Sequence, residues 1–413
     1  MVNRGQTRSC GRTSSVVTFG RARTLNLTGG GLVSLRVAIV TESFLPALNG
    51  VTNSVLRVLD SIASHGHEAM IISPTYTERW YQGVEHFRAP AMPFKQFAVG
   101  LPHPSLTANI AQFRPDVVHV ASPFWLGGQA IAAAARLGVP SVAVYQTDVS
   151  GYLARYNMQF ARAAVDRMIA AIHAPATVTL APTPASASYL TKLGVKNVDV
   201  WGRGVDLELF HPDRRSSPEV RASRQLIAGD KRVVGFIGRL AAEKQVNQFD
   251  ALMDLPDTHF VIVGDGPERA NLEARFAGKP VTFLGSLRGE DLANAYAMLD
   301  VFVHFGAEET FGQTIQEAQA TGLPVVAPAS GGPLFLIQPG VNGYLGEAHR
   351  PQTFRPFVHD LLTDDGLRAR MGEDARRSVR LKSWDANNAI LLQHYERVVA
   401  AAKPVGMRER QSV

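Results

Sequence analysis

Two glutamates with seven residues between them, Glu309 and Glu317, are the acidic groups that the sequence best places for chemistry. Glu309 opens Glu309-Thr310-Phe311-Gly312, just after the apolar run Val301–Phe305, which reads as a buried strand. Glu317 falls inside Gln313–Ala320, which reads as a helix stopped by Gly322 and Pro324. Glu309 therefore sits where a parallel strand hands over to a helix, with Gly312 letting the backbone turn tightly. In open α/β sheets ligands bind in that crevice, and the free N–H groups of a helix start suit an anion such as a diphosphate. A carboxylate beside a phosphate repels it and needs another task; gripping the hydroxyls of a sugar supplies one. Glu317, about two turns into the helix, can face the same crevice. The plain alternative is a solvated helix face.

Cations stand at an equivalent place. Gly235-Phe236-Ile237-Gly238-Arg239 ends a strand, and Lys244 lies at the next helix start. Arg239 can grip a phosphate bidentately while Lys244 acts as a compact charge. Gly264-Asp265-Gly266-Pro267-Glu268-Arg269 resembles the start of a dinucleotide fingerprint, but Arg269 occupies the third glycine's place. It remains a tight loop able to border a nucleotide pocket. Asn49-Gly50-Val51-Thr52 gives the first half its own glycine turn into a helix N-terminus. His119, at a strand end, reads as a core histidine, and His65 and His67, which bracket the turn at Gly66, have no Cys or carboxylate cluster nearby. No Asp-x-Asp pattern offers ligands for a metal-bridged diphosphate. Tyr145-Gln146-Thr147-Asp148 ends another strand, ahead of a segment from Gly151 and Tyr152 to Arg162 in which aromatics and arginines interleave. That segment suits an acceptor wall or a membrane-touching face, or an ordinary amphipathic surface.

These residues need a scaffold of alternating strands and helices. The first half predicts strands at Leu35–Thr41, His67–Ser73, Asp116–Val120, Ser141–Tyr145 and Thr177–Ala181, with a helix from about Val51 to His65. The second predicts strands at Arg232–Arg239, His259–Gly264, Val281–Leu284, Val301–Phe305 and Pro324–Ala327. The economical architecture is α/β, two doubly wound parallel-sheet domains facing each other across a cleft. The polar stretch Phe210–Pro218 reads as the linker.

Composition narrows the class. With 46% hydrophobic and 19% charged residues in 413, the chain can bury large cores. The lone Cys10 excludes an internal disulfide and fits a reducing cytosol. No apolar run reaches the ~18 residues that a membrane span needs. Of the net charge of +6, five units come from Arg4, Arg8, Arg12, Arg21 and Arg23 in a tail that lacks Asp and Glu. Residues 1–34 read as a disordered basic tail or an upstream start. Scattered arginines without interleaved aromatics are a poor signal for nucleic acid.

Together these residues resemble the retaining GT-B glycosyltransferases with an E-x7-E motif, the large family-4 group, over roughly Arg36 to Ala400. The markers are Gly50-Val51, Gly238-Arg239 with Lys244, Gly264-Asp265-Gly266, Glu309-Thr310-Phe311-Gly312 with Glu317, and Trp384-Asp385 before a last helix. Gly50–Val55 and Tyr145–Tyr152 look closer still to the actinobacterial GDP-mannose-dependent lipid α-mannosyltransferases, which are similar in turn to sulfolipid synthases.

The resemblance implies a GT-B fold with an acceptor-side domain over 35–206, a donor domain over 207–383, and a helix over 384–402 returning to the first. It implies GDP-mannose as donor, a glycolipid acceptor such as a phosphatidylinositol mannoside or glucuronosyl diacylglycerol, no metal and no other cofactor. It also implies a cytoplasmic protein in peripheral contact with the anionic inner face of the plasma membrane. Arg239 and Lys244 would neutralise the diphosphate. Glu309, Phe311 and Gly312 would hold the sugar, and Glu317 the ribose, with Gln313, Gly264 and Gly266 beside the donor.

Many members carry His at the position of Gln146. Here Gln146 can only hydrogen-bond, so Asp148 is the nearest group to orient an acceptor hydroxyl, with Tyr152 beyond it. The base-reading residues are expected near Gly264–Pro267 and Leu284–Leu287. The competing readings are a UDP-sugar-dependent diacylglycerol glycosyltransferase, a non-hydrolysing nucleotide-sugar epimerase, and a sugar-nucleotide-binding regulator without catalysis.

Overall fold

The computed structural model describes residues 34–47, 49–94, 97–101, 103–121, 123–146 and 162–402. Sixteen strands occur among them. The first ten are β1 (Arg36–Thr41), β2 (Glu68–Ser73), β3 (Trp80–Tyr81), β4 (Val84–Arg88), β5 (Ala91–Phe94), β6 (Phe97–Gly100), β7 (Val117–Ala121), β8 (Ser141–Val144), β9 (Val178–Ala181) and β10 (Val198–Val200). The other six are β11 (Arg232–Ile237), β12 (Thr258–Val263), β13 (Val281–Gly285), β14 (Val301–Val303), β15 (Val325–Pro328) and β16 (Gly343–Gly346).

Two sheets carry the fold. The first runs β10-β9-β8-β7-β1-β2-β4-β3, parallel except for the β3–β4 pair; the second runs β13-β12-β11-β14-β15-β16 and is parallel throughout. In both, the chain order reverses beside the first strand of the half, the switch point where a crevice opens at the carboxyl ends. The strands are apolar on both sides because both faces are covered. Val37, Ile39 and Val142 pack on one face of the first sheet, Ala38, Val40 and Ala143 on the other. Val233 and Val261 against Val234 and Phe260 do the same in the second.

Most expected strands appear within one or two residues of their predicted bounds. Glu309 lies farther from its strand than expected, because β14 ends at Val303 and His304–Gly312 is loop. The short β3, β10 and β16 and the hairpin β5–β6 run only two to four residues per strand, too few to display a period. Phe210–Pro218 is not a free linker: Pro212–Ser216 form a 3-10 turn whose Arg214 reaches Asn294 (3.3 Å) and whose Arg215 donates to the Ala297 carbonyl (3.3 Å).

The chain passes between the two cores earlier. Trp201 belongs to the first core and Val205 to the second. It passes back after Val379, and the helix Trp384–Ala402 sets Leu391, Leu392 and Tyr395 into the first core. The two crossings run side by side, Val205 bridging Ser383 and Trp201 Nε1 donating to the Asn387 carbonyl at 2.9 Å.

Where β11 and β12 end, backbone meets backbone. Gly264 has φ +132, and a Cβ there would stand 1.9 Å from the Gly238 carbonyl oxygen. Gly264→Ala combines that overlap with a backbone conformation that L-residues avoid, a strain of about 1–3 kcal/mol before any clash. A fall in melting temperature of about 5 °C or more is expected. A melt unchanged from wild type contradicts this packing.

Candidate active site

The loops at the carboxyl edge of the second sheet bring the predicted donor residues together. Lys244 ends a 3-10 turn, Ala242–Lys244, and its Nζ lies 2.5 Å from Glu309 Oε2. Arg239 is paired with Glu243, one helical turn away in sequence. Both expected phosphate cations thus carry a carboxylate partner. The Glu309 loop is held from behind: its carbonyl accepts from Gly332 N–H at 2.6 Å, and Ser330 Oγ donates to the Ala307 carbonyl at 3.0 Å. Gly312 has φ +99 and caps the helix Gln313–Ala320, while Phe311 is buried beneath it.

The two glutamates differ in charge state for stated reasons. Burial pushes Glu309 up, but Lys244, with neighbouring His304 and Arg203, more than offsets this and holds it at about 2. Glu309 is an anion at any working pH. His304, stacked on Phe236 at 5.9 Å, is driven down to about 4 by burial and by Lys244, so it stands neutral beside the pair. Glu317 is raised to about 7 by burial, against hydrogen bonds from Tyr296 and Gln313 and the charge of Arg203. Tyr296 Oη donates to its Oε2 at 2.9 Å.

Glu317 has a consequence for stability. A carboxyl that ionises near 4.5 when unfolded and at about 7 when folded stabilises the native state below the lower value, and that contribution is lost as pH rises through the upper one. Glu317→Gln should flatten the stability profile between about pH 5 and 8, as denaturant unfolding at several pH values would read. A slope equal to wild type places the ionisation elsewhere.

On the first half, Asn49 caps the helix Gly50–Ser64, its Oδ1 accepting from Val51 N–H (2.9 Å) and Thr52 N–H (3.0 Å). These are two of the amides that an anion at this turn would have used, so among them Gly50 is left to meet it. Gln146 is buried, and its Oε1 accepts from Arg203 Nη2 at 3.1 Å, a hydrogen-bonding role as its chemistry requires. Asp148 and Tyr152 lie outside the described residues. Gly238, Gly264 and Gly266 form the interlocked turns where β11 and β12 end, and Gln313 Nε2 donates to the Gly204 carbonyl at 3.1 Å. His119 is a core group, its Nδ1 2.7 Å from Tyr395 Oη. Among the described residues, no group of three or more His, Cys, Asp or Glu could hold a metal ion.

Sequence reasoning missed Arg203, His304 and the Ser330–Gly332 prop. The Gly202-Arg203-Gly204 flanks were a signal for the first. The other two depend on contacts that the sequence does not display.

The description "Glycosyl transferases group 1" matches residues 219–378, and "Glycosyltransferase Family 4" matches 48–209. The chain belongs to this glycosyltransferase family. It is 42% identical, over 90% of its length and 91% of the relative's, to a protein of Corynebacterium glutamicum named GDP-mannose-dependent alpha-mannosyltransferase. A Mycobacterium tuberculosis protein of the same name is 43% identical over 89% of this chain and 98% of its own. The sulfoquinovosyl transferase SQD2 of Arabidopsis thaliana is more distant, at 34% over 85% of this chain and 71% of its own. Among solved structures, sucrose-phosphate synthase from Thermosynechococcus elongatus superposes with a TM-score of 0.72 over 89% of this chain and all of its own, at 21% identity. The glycosyltransferase WaaG gives 0.66 over 88% and 99%. The fold is GT-B, two Rossmann-like parallel-sheet domains.

Proposed function

We propose that the chain is a retaining α-mannosyltransferase that moves mannose from GDP-mannose to a glycolipid. The observation that carries this is the Lys244–Glu309 pair at the carboxyl edge of the second sheet, in a chain 42% identical to proteins named for that activity. Residues 207–383 form the donor half, residues 35–206 the acceptor half, and 384–402 the returning helix. Lys244 and Arg239 receive the negative charge that develops on the departing diphosphate. Glu309, with the backbone at Phe311-Gly312, holds the mannose, and Glu317 the ribose hydroxyls. The acceptor hydroxyl attacks the anomeric carbon on the face that the diphosphate leaves, and a diphosphate oxygen takes its proton; no enzyme nucleophile is required. Asp148 orients the acceptor hydroxyl, and Gln146 and Tyr152 serve the acceptor side. Peripheral contact with an anionic membrane brings the acceptor within reach. No helix among the described residues is long and apolar enough to cross a membrane.

The test is transfer from radiolabelled GDP-mannose to phosphatidylinositol mannoside or glucuronosyl diacylglycerol in mixed vesicles, with the anomeric configuration of the product read by NMR. An α-linked product from GDP-mannose is expected. Transfer from a UDP-sugar to diacylglycerol instead would install the second reading, whose support is the more distant relative, SQD2, at 34% identity. Conversion of the donor without an acceptor would make the protein an epimerase.

A further inference from the structure

The charge balance of the donor site does not close on the residues so far assigned to it. Lys244 is paired with Glu309 and Arg239 with Glu243, and Glu317 adds a third carboxylate. Two cations against three carboxyls leaves one negative charge, or about half of one with Glu317 near its midpoint at pH 7. Such a site repels a diphosphate. The first half does little to help, since the Val51 and Thr52 N–H groups are spent on Asn49.

Arg203 stands in this gap. It lies on the first crossing between the two cores, between Gly202 and Gly204. Its Nη1 donates to the Gly50 carbonyl at 3.0 Å and its Nη2 to Gln146 Oε1 at 3.1 Å. Both acceptors are neutral, and among the described residues no carboxylate lies within ion-pair distance of it. Burial works against its charge, and Glu309 and Glu317 are the nearby charges that favour it. A partly buried guanidinium held only by neutral oxygens has lost water without gaining a counter-ion, an arrangement that an incoming anion completes. Its position is fixed from the donor side: Gln316 Nε2 donates to the Arg203 carbonyl at 3.0 Å, and Gln313 to that of Gly204, both from the helix that carries Glu317. Gly50 leaves room for it, since a Cβ there would stand 2.6 Å from Nη1.

We infer that Arg203 is the third cation of the diphosphate site, delivered by the crossing segment and aimed by the Gly50 carbonyl and Gln146. With it, the balance becomes three cations against three carboxyls, so the diphosphate enters a neutral or slightly positive site. It also gives Gln146 a task that a titrating histidine would do worse, because a protonated imidazole would repel the guanidinium that the amide oxygen holds.

This rests on the sugar-nucleotide reading above, and the experiment separates the two. Calorimetry on the full chain compares GDP, UDP and guanosine binding by the wild-type protein, Arg203→Met and Gly50→Ala. For Arg203→Met we expect GDP affinity to fall roughly 10- to 100-fold, the range for a hydrogen-bonded charge, with guanosine affinity unchanged and a shallower dependence of GDP binding on salt. Gly50→Ala keeps the charge and displaces the guanidinium, at a helix start whose backbone alanine can adopt, and should shift GDP binding in the same direction. If the variants bind GDP as wild type does, the assignment of Arg203 fails and the sugar-nucleotide reading stands. If GDP and guanosine weaken in parallel, Arg203 is structural and the assignment fails likewise. If the wild-type protein binds neither GDP nor UDP, the sugar-nucleotide reading fails and takes this one with it.

Discussion

Lys244→Ala is expected to lower kcat/KM for transfer by about 10³-fold, with most of the loss in kcat. The magnitude follows from what the ammonium does in two places. In the proposed reading it faces the diphosphate, whose negative charge grows as the bond to the anomeric carbon breaks, so its contribution is larger in the transition state than in the ground state. It is also the strongest of the influences that hold Glu309 ionised against burial. Removing it leaves a buried carboxylate facing a neutral His304, and Glu309 then takes up a proton or repels the donor.

Lys244→Arg should not restore activity. The guanidinium is planar and longer, and cannot reproduce a point contact at 2.5 Å between two loops. Breaking a buried ion pair costs about 3–5 kcal/mol, and about a fifth of each side chain is exposed, so the cost here sits below that range. The variant should fold with a lower melting point. Steady-state kinetics beside a thermal melt separate the two effects. Turnover within tenfold of wild type in a folded Lys244→Ala protein would remove Lys244 from the chemistry.

The sequence disclosed the second half better than the contacts between the halves, for a physical reason. Glu309, Gly312 and the helix Gln313–Ala320 are announced by a buried run, a glycine and a helical period, all within twenty residues. The helix bounds are met residue for residue. Lys244 was legible because it follows a strand end and a glycine. The partners of Arg203 lie 153 and 57 residues away, and no local pattern encodes such a contact.

Capping of the Gly50 helix by Asn49 had the opposite fault. The residue type announced a cap plainly, but two roles competed for the same N–H groups, and the side chain took two of them. The stretch Phe210–Pro218 has the composition of a linker but sits down on the helix Gly289–Ala297, because Arg214 and Arg215 find acceptors there. Composition reports solubility of a segment, not whether its arginines are spent.

Glu309→Gln should separate binding from transfer, and with a sign that a general loss of structure cannot imitate. The amide keeps the shape of the carboxylate and can still accept from Lys244 and a sugar hydroxyl, but the negative charge is gone. Glu309 is ionised throughout the working range, so its neutralisation changes the local balance by a full unit in favour of an anion. GDP should therefore bind as tightly as to wild type or several-fold tighter, because Lys244 no longer shares itself with a carboxylate. Transfer should fall by about 10³-fold, since in the proposed reading a charge-assisted hydrogen bond to the mannose becomes a neutral one at the position where the sugar must be held as positive charge develops on its ring. Adding Lys244→Ala to Glu309→Gln should cost far less than the product of the single effects, as for residues in direct contact. The measurements are GDP and GDP-mannose titrations with single-turnover transfer on both variants and the double variant. Parallel loss of GDP affinity and transfer in Glu309→Gln would mean that Glu309 acts by holding Lys244 in place rather than by holding the sugar.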